Sequence, residues 1–122
     1  MMSENKSVLI INRSAPYGSS AARESLDVAL TCSIFEMPVS LLFLSDGIFQ
    51  LLQGQSPEAL EQKKLEAMLS ALPMYDIDQI LVCREDFEQH GLSEAQLCLP
   101  VQLIDADQIA SLIQKHDTVL TF

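Results

Sequence analysis

Val39-Ser40-Leu41-Leu42-Phe43-Leu44 runs straight into Ser45-Asp46-Gly47-Ile48-Phe49-Gln50-Leu51-Leu52-Gln53-Gly54-Gln55. The first six residues form a short apolar run that reads as a buried strand. An Asp-Gly pair breaks it. Four large apolar residues, Ile48, Phe49, Leu51 and Leu52, then follow with Gln50, Gln53 and Gln55 among them. A loop leaving a strand runs over the surface and normally sheds hydrophobic side chains. This one collects them, which predicts that it packs under a neighbouring element or into another subunit.

Apolar runs bounded by turn signals recur on either side of this stretch, at 7–12, 79–83, 101–104 and 118–122. Their length and β-branched content read as parallel strands buried on both faces. Helical patterns alternate with them. Residues 20–35 carry Leu26, Leu30 and Ile34 at four-residue spacing, a stripe that faces a core. Val28, Cys32 and Phe35 form a second stripe, so this helix is expected to be buried on two faces. Ser56-Pro57 reads as an N-cap with proline at the first helical position, opening a helix to about Leu72. Asp105 with Gln108 three residues on resembles a capping box and opens a last helix through Gln114. Strands alternating with helices predict a three-layer α/β/α sandwich on a mostly parallel sheet of about five strands. Residues 90–100 stay ambiguous.

The totals bound the function. A chain of 122 residues reads as one domain and buries roughly two thirds of its unfolded surface. Hydrophobic residues make up 48% and the mean hydropathy is +0.21, which points to apolar area in subunit contacts as well as in the core. Seven basic against seventeen acidic residues give a formal charge of −10. Nucleic acid and anionic membranes both need phosphate-neutralising Lys and Arg, so neither is expected as a direct partner. No signal-peptide pattern and no apolar run of the ~18 or more residues of a membrane span occur, so a cytoplasmic location is expected. Cys32, Cys83 and Cys98 are odd in number and lack metal-ligand spacing, and His90 and His116 lie far from any cysteine pair. Reduced thiols, no structural zinc and no cofactor are expected.

Ligands of open parallel sheets collect beyond the carboxyl ends of the strands, which singles out three loops. Residues 13–24 follow the first strand and hold serines at a helix start, but no phosphate-loop signature. The commoner reading is a Pro-Tyr-Gly turn capping a helix, with Arg23 paired to a carboxylate. In the second loop Asp46 lacks the lysine or second carboxylate that phosphoryl transfer needs. It reads as an Asp-Gly turn whose carboxylate bonds backbone N–H groups. The third is Cys83-Arg84-Glu85-Asp86, where a strand meets a short helix. A helix N-terminus and Arg84 favour a thiolate, while Glu85 and Asp86 oppose it. The competing reading is a buried cysteine acting as a small hydrophobe. Cys32 and Cys98 read as packing residues. His90-Gly91 reads as a helix C-terminus, where a partly charged imidazole suits the dipole.

Ala15-Pro16-Tyr17-Gly18, followed by Ala22-Arg23-Glu24 and Leu26-Asp27, resembles the opening of the TusC/DsrF branch of the DsrE-type sulfur-relay superfamily. So does Asp46-Gly47-Ile48-Phe49-Gln50-Leu51-Leu52 with Gly54-Gln55 and Pro57, the most specific string. Tyr75-Asp76-Ile77 and Gly91-Leu92 also match, and the resemblance spans residues 8–122. It implies one DsrE/DsrF-like domain over residues 1–122, in a cytoplasmic heterohexamer of TusB-, TusC- and TusD-like chains. Such an assembly passes persulfide sulfur from a TusA-like donor toward a TusE-like acceptor, ending in 2-thiolation of the wobble uridine of certain tRNAs. The related DsrE/F/H assembly serves dissimilatory sulfur oxidation.

In that resemblance the sulfur carrier is a cysteine of the TusD-like chain, at the strand–helix junction that Cys83 occupies here. The acidic pair after Cys83 departs from the small neutral residues of the active sibling. The implied role is a structural subunit, with Tyr17, Phe49, Leu51 and Leu52 as the expected interface and no catalytic residue assigned. A persulfide on Cys83 itself, or a small ligand at the Tyr17-Gly18 loop, are the alternatives.

Overall fold

The computed structural model describes residues 6–16, 19–53 and 60–122. β1 (Val8–Asn12), β2 (Val39–Phe43), β3 (Gln79–Cys83), β4 (Gln102–Ile104) and β5 (Thr118–Thr121) lie within one residue of their expected ends. They form a single sheet in the order β4-β3-β2-β1-β5. Every pairing is parallel, with Val8 opposite Val39, Ser40 opposite Gln79, and Leu81 opposite Gln102. β5 joins the other side of β1, with Val8 opposite Thr118.

This order dictates the layers. Steps β1 to β2, β2 to β3 and β3 to β4 all move the same way, so right-handed crossovers put their helices on one face. These are α1 (Ala21–Ile34), α2 (Leu60–Ala71) and α3 (Arg84–Gln89). The chain returns from β4 to β5 across the whole sheet, and α4 (Ala106–Lys115) covers the opposite face. The strand side chains divide accordingly. Val8, Ile10, Leu41, Phe43 and Val82 join the larger core with Leu26, Leu69 and Phe87, whereas Leu9, Ile11, Leu42 and Leu81 pack with Leu112 of α4. Burial on both faces is why β1, β2 and β3 read as unbroken apolar runs. The expected two-sided burial fails at the edges of the sheet, where β5 is largely exposed and β4 is only partly buried, because an edge strand has a neighbour on one side only.

Local signals account for several ends. The Asp105 side chain accepts from Gln108 N at 3.0 Å while the Gln108 side chain accepts from Asp105 N at 2.9 Å, the predicted capping box. The expected Ser56-Pro57 helix start lies outside the described residues. The ambiguous 90–100 segment contains a 3-10 helix, Glu94–Gln96, and an antiparallel bridge between Leu97 and Leu52.

α1 departs from expectation. Its buried face is Ala22, Ser25, Leu26 and Ala29, one stripe instead of two. Leu30, Val28 and Cys32 are only partly covered, and Ile34 and Phe35 are each 70% exposed. The apolar periodicity of α1 outruns the sheet it packs on, so its last turn leaves the core.

The loop after β2 is a 3-10 helix, Ser45–Leu51, laid across the end of β1. Leu44 N donates to Asn12 O at 3.1 Å, and a Cβ on Gly47 would collide with that same carbonyl group. Ile48 and Leu51 drop fully into the core. Gly91, with φ 69°, has nothing within 4 Å of the place a Cβ would take and is glycine for its backbone alone. Gly47→Ala is therefore expected to destabilise by roughly 3 kcal/mol or more through backbone displacement, and Gly91→Ala by only about 1 kcal/mol. Urea denaturation of the two variants checks the order.

Candidate functional site

The carboxyl edge of the sheet gathers the three loops singled out by the sequence. Their geometry is dominated by ties between loops. Ser45 N donates to the Asp86 carboxylate at 2.8 Å, and His90 Nε2 lies 3.0 Å from Ser45 O, to which it donates as the Nε2–H tautomer. The His90 ring also tilts against Phe49, centroids 4.4 Å apart. Further along, Cys98 N donates to Leu51 O at 2.7 Å and Gln53 N to Gln96 O at 2.9 Å. Gln50 is buried and its Nε2 donates to Ser14 O at 2.8 Å, joining this loop to the one after β1. Gln50 Oε1 is buried with no hydrogen-bond partner among the described residues, a group that ordinarily costs about 1–3 kcal/mol to leave unmade. Beneath them the Ser25 hydroxyl donates to the buried Asn12 side chain.

Asp46 is exposed, and its side chain makes no hydrogen bond among the described residues. The expected Asp-Gly cap is supplied by Asp86, a pairing 41 positions away in the chain. Of the four expected interface residues, Leu51 is completely buried in the chain's own core, while Phe49 and Leu52 are half-buried. Tyr17, with Gly18, lies outside the described residues. Arg23 pairs with Asp27 at 3.6 Å on the exposed face of α1, and Ser20 Oγ donates to Glu24 at 3.3 Å. Pro16 and Arg23 line a cleft of about 290 Å³ against Leu65 of α2.

Cys83 ends β3 and precedes the first turn of α3, half-buried. Burial pushes its thiol pKa up; the Asp86 and Glu85 backbone N–H groups oppose this, while the Asp86 carboxylate adds to it by charge and by hydrogen bonding. Arg84 gives no help: its guanidinium donates to Leu103 O on β4 at 3.3 Å. The expected opposition of Glu85 is also reversed, since Glu85 acts through its N–H and not its carboxylate. Cys98 is pushed up to about 11 by burial and by the charge of Glu66. All three cysteines are free thiols, and no cluster of metal-ligating side chains forms among the described residues. Nucleophilic sulfur chemistry needs the thiolate, so at neutral pH this edge holds a protonated thiol under a carboxylate.

Asp86 opposes the Cys83 thiolate and His90 ends α3, as the sequence reading has them; what that reading did not place is their shared hold on Ser45. The signal was present as two polar side chains one helical turn apart, Asp86 and His90, but their target on the β2 loop is not local. Alkylation of Cys83 by iodoacetamide, followed by peptide mass spectrometry, is expected to be slow at pH 7 and to keep rising past the ordinary thiol value of about 8.5. Asp86→Asn keeps an acceptor for Ser45 and removes the charge, so it is expected to speed that alkylation several-fold at pH 8. An unchanged rate would show that burial alone sets the thiol.

Comparison with known proteins agrees with this architecture. A protein from Pseudomonas aeruginosa named Protein TusC homolog is 44% identical over 117 residues, 96% of this chain and 98% of that one. A Vibrio parahaemolyticus protein of the same name is 37% identical over 110 residues, covering 90% and 93% of the two chains. Among solved structures, the ychN protein from E. coli superposes with a TM-score of 0.81 at 27% identity, over 96% of this chain and 99% of that one. MTH1491 from Methanobacterium thermoautotrophicum shares the fold at a TM-score of 0.66 and 11% identity, over 98% and 100% of the chains. With five parallel strands, a β2 loop folded onto its own core and a sequence profile matching residues 6–122, the chain belongs to the DsrE/DsrF-like family.

Proposed function

We propose that this chain is a TusC-like subunit of a Tus-type sulfur-relay complex and that it serves assembly instead of carrying sulfur. The observation that carries the reading is the likeness to Protein TusC homologs over nearly the whole chain, at 44% and 37% identity. In this reading its neighbours are TusB-like and TusD-like chains, with a TusA-like donor and a TusE-like acceptor meeting the complex, which leads to 2-thiolation of a tRNA wobble uridine. The RNA itself is not bound by this chain. Seven basic residues against seventeen acidic ones disfavour the phosphate neutralisation that nucleic-acid binding needs. No helix among the described residues is long and apolar enough to cross a membrane.

The chemistry of Cys83 supports a non-carrier role. A carrier must attack a persulfide donor as a thiolate, and Cys83 has burial and Asp86 holding the proton on. That carboxylate is already committed to Ser45 N.

Phe49 and Leu52 are the large apolar side chains of the described part of the β2 loop with surface left to offer a sibling subunit. Replacing either by Asp is expected to abolish co-purification with co-expressed TusB- and TusD-like chains, while circular dichroism stays native. Leu51→Asp serves as the contrast and is expected to unfold the chain. Complex recovered at normal yield from both surface variants would return Phe49 and Leu52 to an internal role.

A further inference from the structure

The two outer strands of the sheet, β4 and β5, are finished differently. In a parallel ladder alternate residues bond one neighbour, and those between them turn their N–H and C=O the other way. Thr118 N donates to Ser7 O at 3.0 Å, Phe122 N to Ile11 O at 2.8 Å, and Arg13 N to Phe122 O at 2.8 Å. Thr118, Leu120 and Phe122 therefore face β1, while Val119 and Thr121 turn their backbone groups outward. The same alternation, carried through the registers from β1 to β4, turns Leu103 outward on the other side of the sheet. There the Leu103 carbonyl accepts from the Arg84 guanidinium at 3.3 Å, and the strand spans only Gln102–Ile104. No such cover reaches β5 among the described residues. Its Thr118-Val119-Leu120-Thr121 segment also lacks the charges, proline and bulges that keep a strand edge from pairing.

Charged groups stand instead at the two ends of this strand. Arg13, beside Phe122, is exposed, and its guanidinium makes no hydrogen bond or ion pair among the described residues. Asp117, just before Thr118, is also exposed. Its Oδ2 accepts from Ser7 N at 2.8 Å and from Ser7 Oγ at 3.2 Å. Those donors are neutral, and the Ser7 N–H above all lowers the carboxyl pKa, so the charge stays in place. Between the ends, Val119 stands in register with Leu9 on the face that α4 covers, yet it is 36% exposed.

We infer that the outer edge of β5 pairs with the same edge of a second copy of this chain, antiparallel, about a two-fold axis at Leu120. In that register Val119 of each copy lies opposite Thr121 of the other, and every outward N–H of these residues meets an outward C=O. Leu120 lies opposite Leu120 across the axis. Charge completes the match. Asp117 of one copy comes level with Arg13 of the other, two strand spacings or ~10 Å apart between backbones, a gap that a long guanidinium side chain closes. A parallel pairing would instead set Arg13 against Arg13 and Asp117 against Asp117. The strand between these ends is uncharged, so the total of −10 sets no like charges against each other along it. Backbone groups and charges are both reciprocal, the condition for a two-fold contact between identical surfaces. This contact does not depend on the function proposed above.

The test is sedimentation velocity of the full-length chain across a concentration series, with amide hydrogen exchange read residue by residue by NMR. The contact is small, so a weak, reversible dimer is expected. The Val119 and Thr121 amides are expected to exchange several-fold more slowly at high protein concentration than at low. Thr121→Pro removes an outward N–H and no bond to β1, so it is expected to melt near the wild-type temperature and to stay monomeric. Arg13→Gln, at an exposed side chain, is expected to weaken the dimer several-fold. A wild-type chain that stays monomeric at millimolar concentration, or a dimer that forms equally well in both variants, would overturn this contact. A dimer that Thr121→Pro dissolves and Arg13→Gln leaves unchanged would overturn the antiparallel register. A chain that is monomeric alone but loses a partner subunit on Thr121→Pro would make the occupant another protein's strand and also contradict the proposal. If Thr121→Pro fails to fold, concentration-independent exchange at Val119 in the wild type overturns the pairing by itself.

Discussion

The carboxyl edge of this molecule depends on one close approach, that of Gly47 to the carbonyl group of Asn12. A Cβ at Gly47 would overlap that group, so the 3-10 helix after β2 lies on the end of β1 only because no side chain intervenes. From that seat Ile48 and Leu51 reach the core, Gln50 reaches Ser14, and Leu52 meets Leu97. The same seat presents Ser45 N to Asp86 and Ser45 O to His90. α3 is thereby tied at both ends to a loop that precedes it by some forty residues.

Structure and chemistry are coupled through that tie. Asp86 is placed to hold the loop, and the place it takes puts its carboxylate against Cys83. A thiol at a strand–helix junction has the geometry of a sulfur site, yet here the junction's first turn is spent on anchoring. The two ends of the sheet have consequently diverged. The carboxyl edge is filled by the chain's own loop, with a half-buried thiol beneath it. At the amino edge Ile34, Phe35 and Met74 keep large apolar surface in solvent.

What the sequence disclosed follows from how local each signal is. Strands buried on both faces are continuous apolar runs, so their number, ends and parallel character were legible. The Asp105–Gln108 capping box is a three-residue pattern and was legible for the same reason. The apolar β2 loop does pack under a neighbouring element, as its composition implies, but a 3-10 helix distributes side chains in a way that spacing alone does not resolve. Leu51 turns inward while Phe49 and Leu52 keep some surface. Asp86 makes the backbone N–H contact expected of Asp46, because that pairing is set by tertiary docking. Ile34 and Phe35 continue an apolar stripe that has the spacing of core. Periodicity reports a helix's faces, not where the sheet beneath it stops.

The central claim is that this chain supports a sulfur relay without carrying sulfur itself. Peptide-resolved mass spectrometry of the assembled complex, quenched during turnover with a cysteine desulfurase and its TusA-like donor, tests it most directly. The account predicts persulfide on the TusD-like chain, none on Cys83, and undiminished transfer to the TusE-like acceptor in a Cys83→Ser complex. An adduct of about 32 Da on Cys83 that forms and decays with turnover, together with loss of transfer in Cys83→Ser, would contradict it.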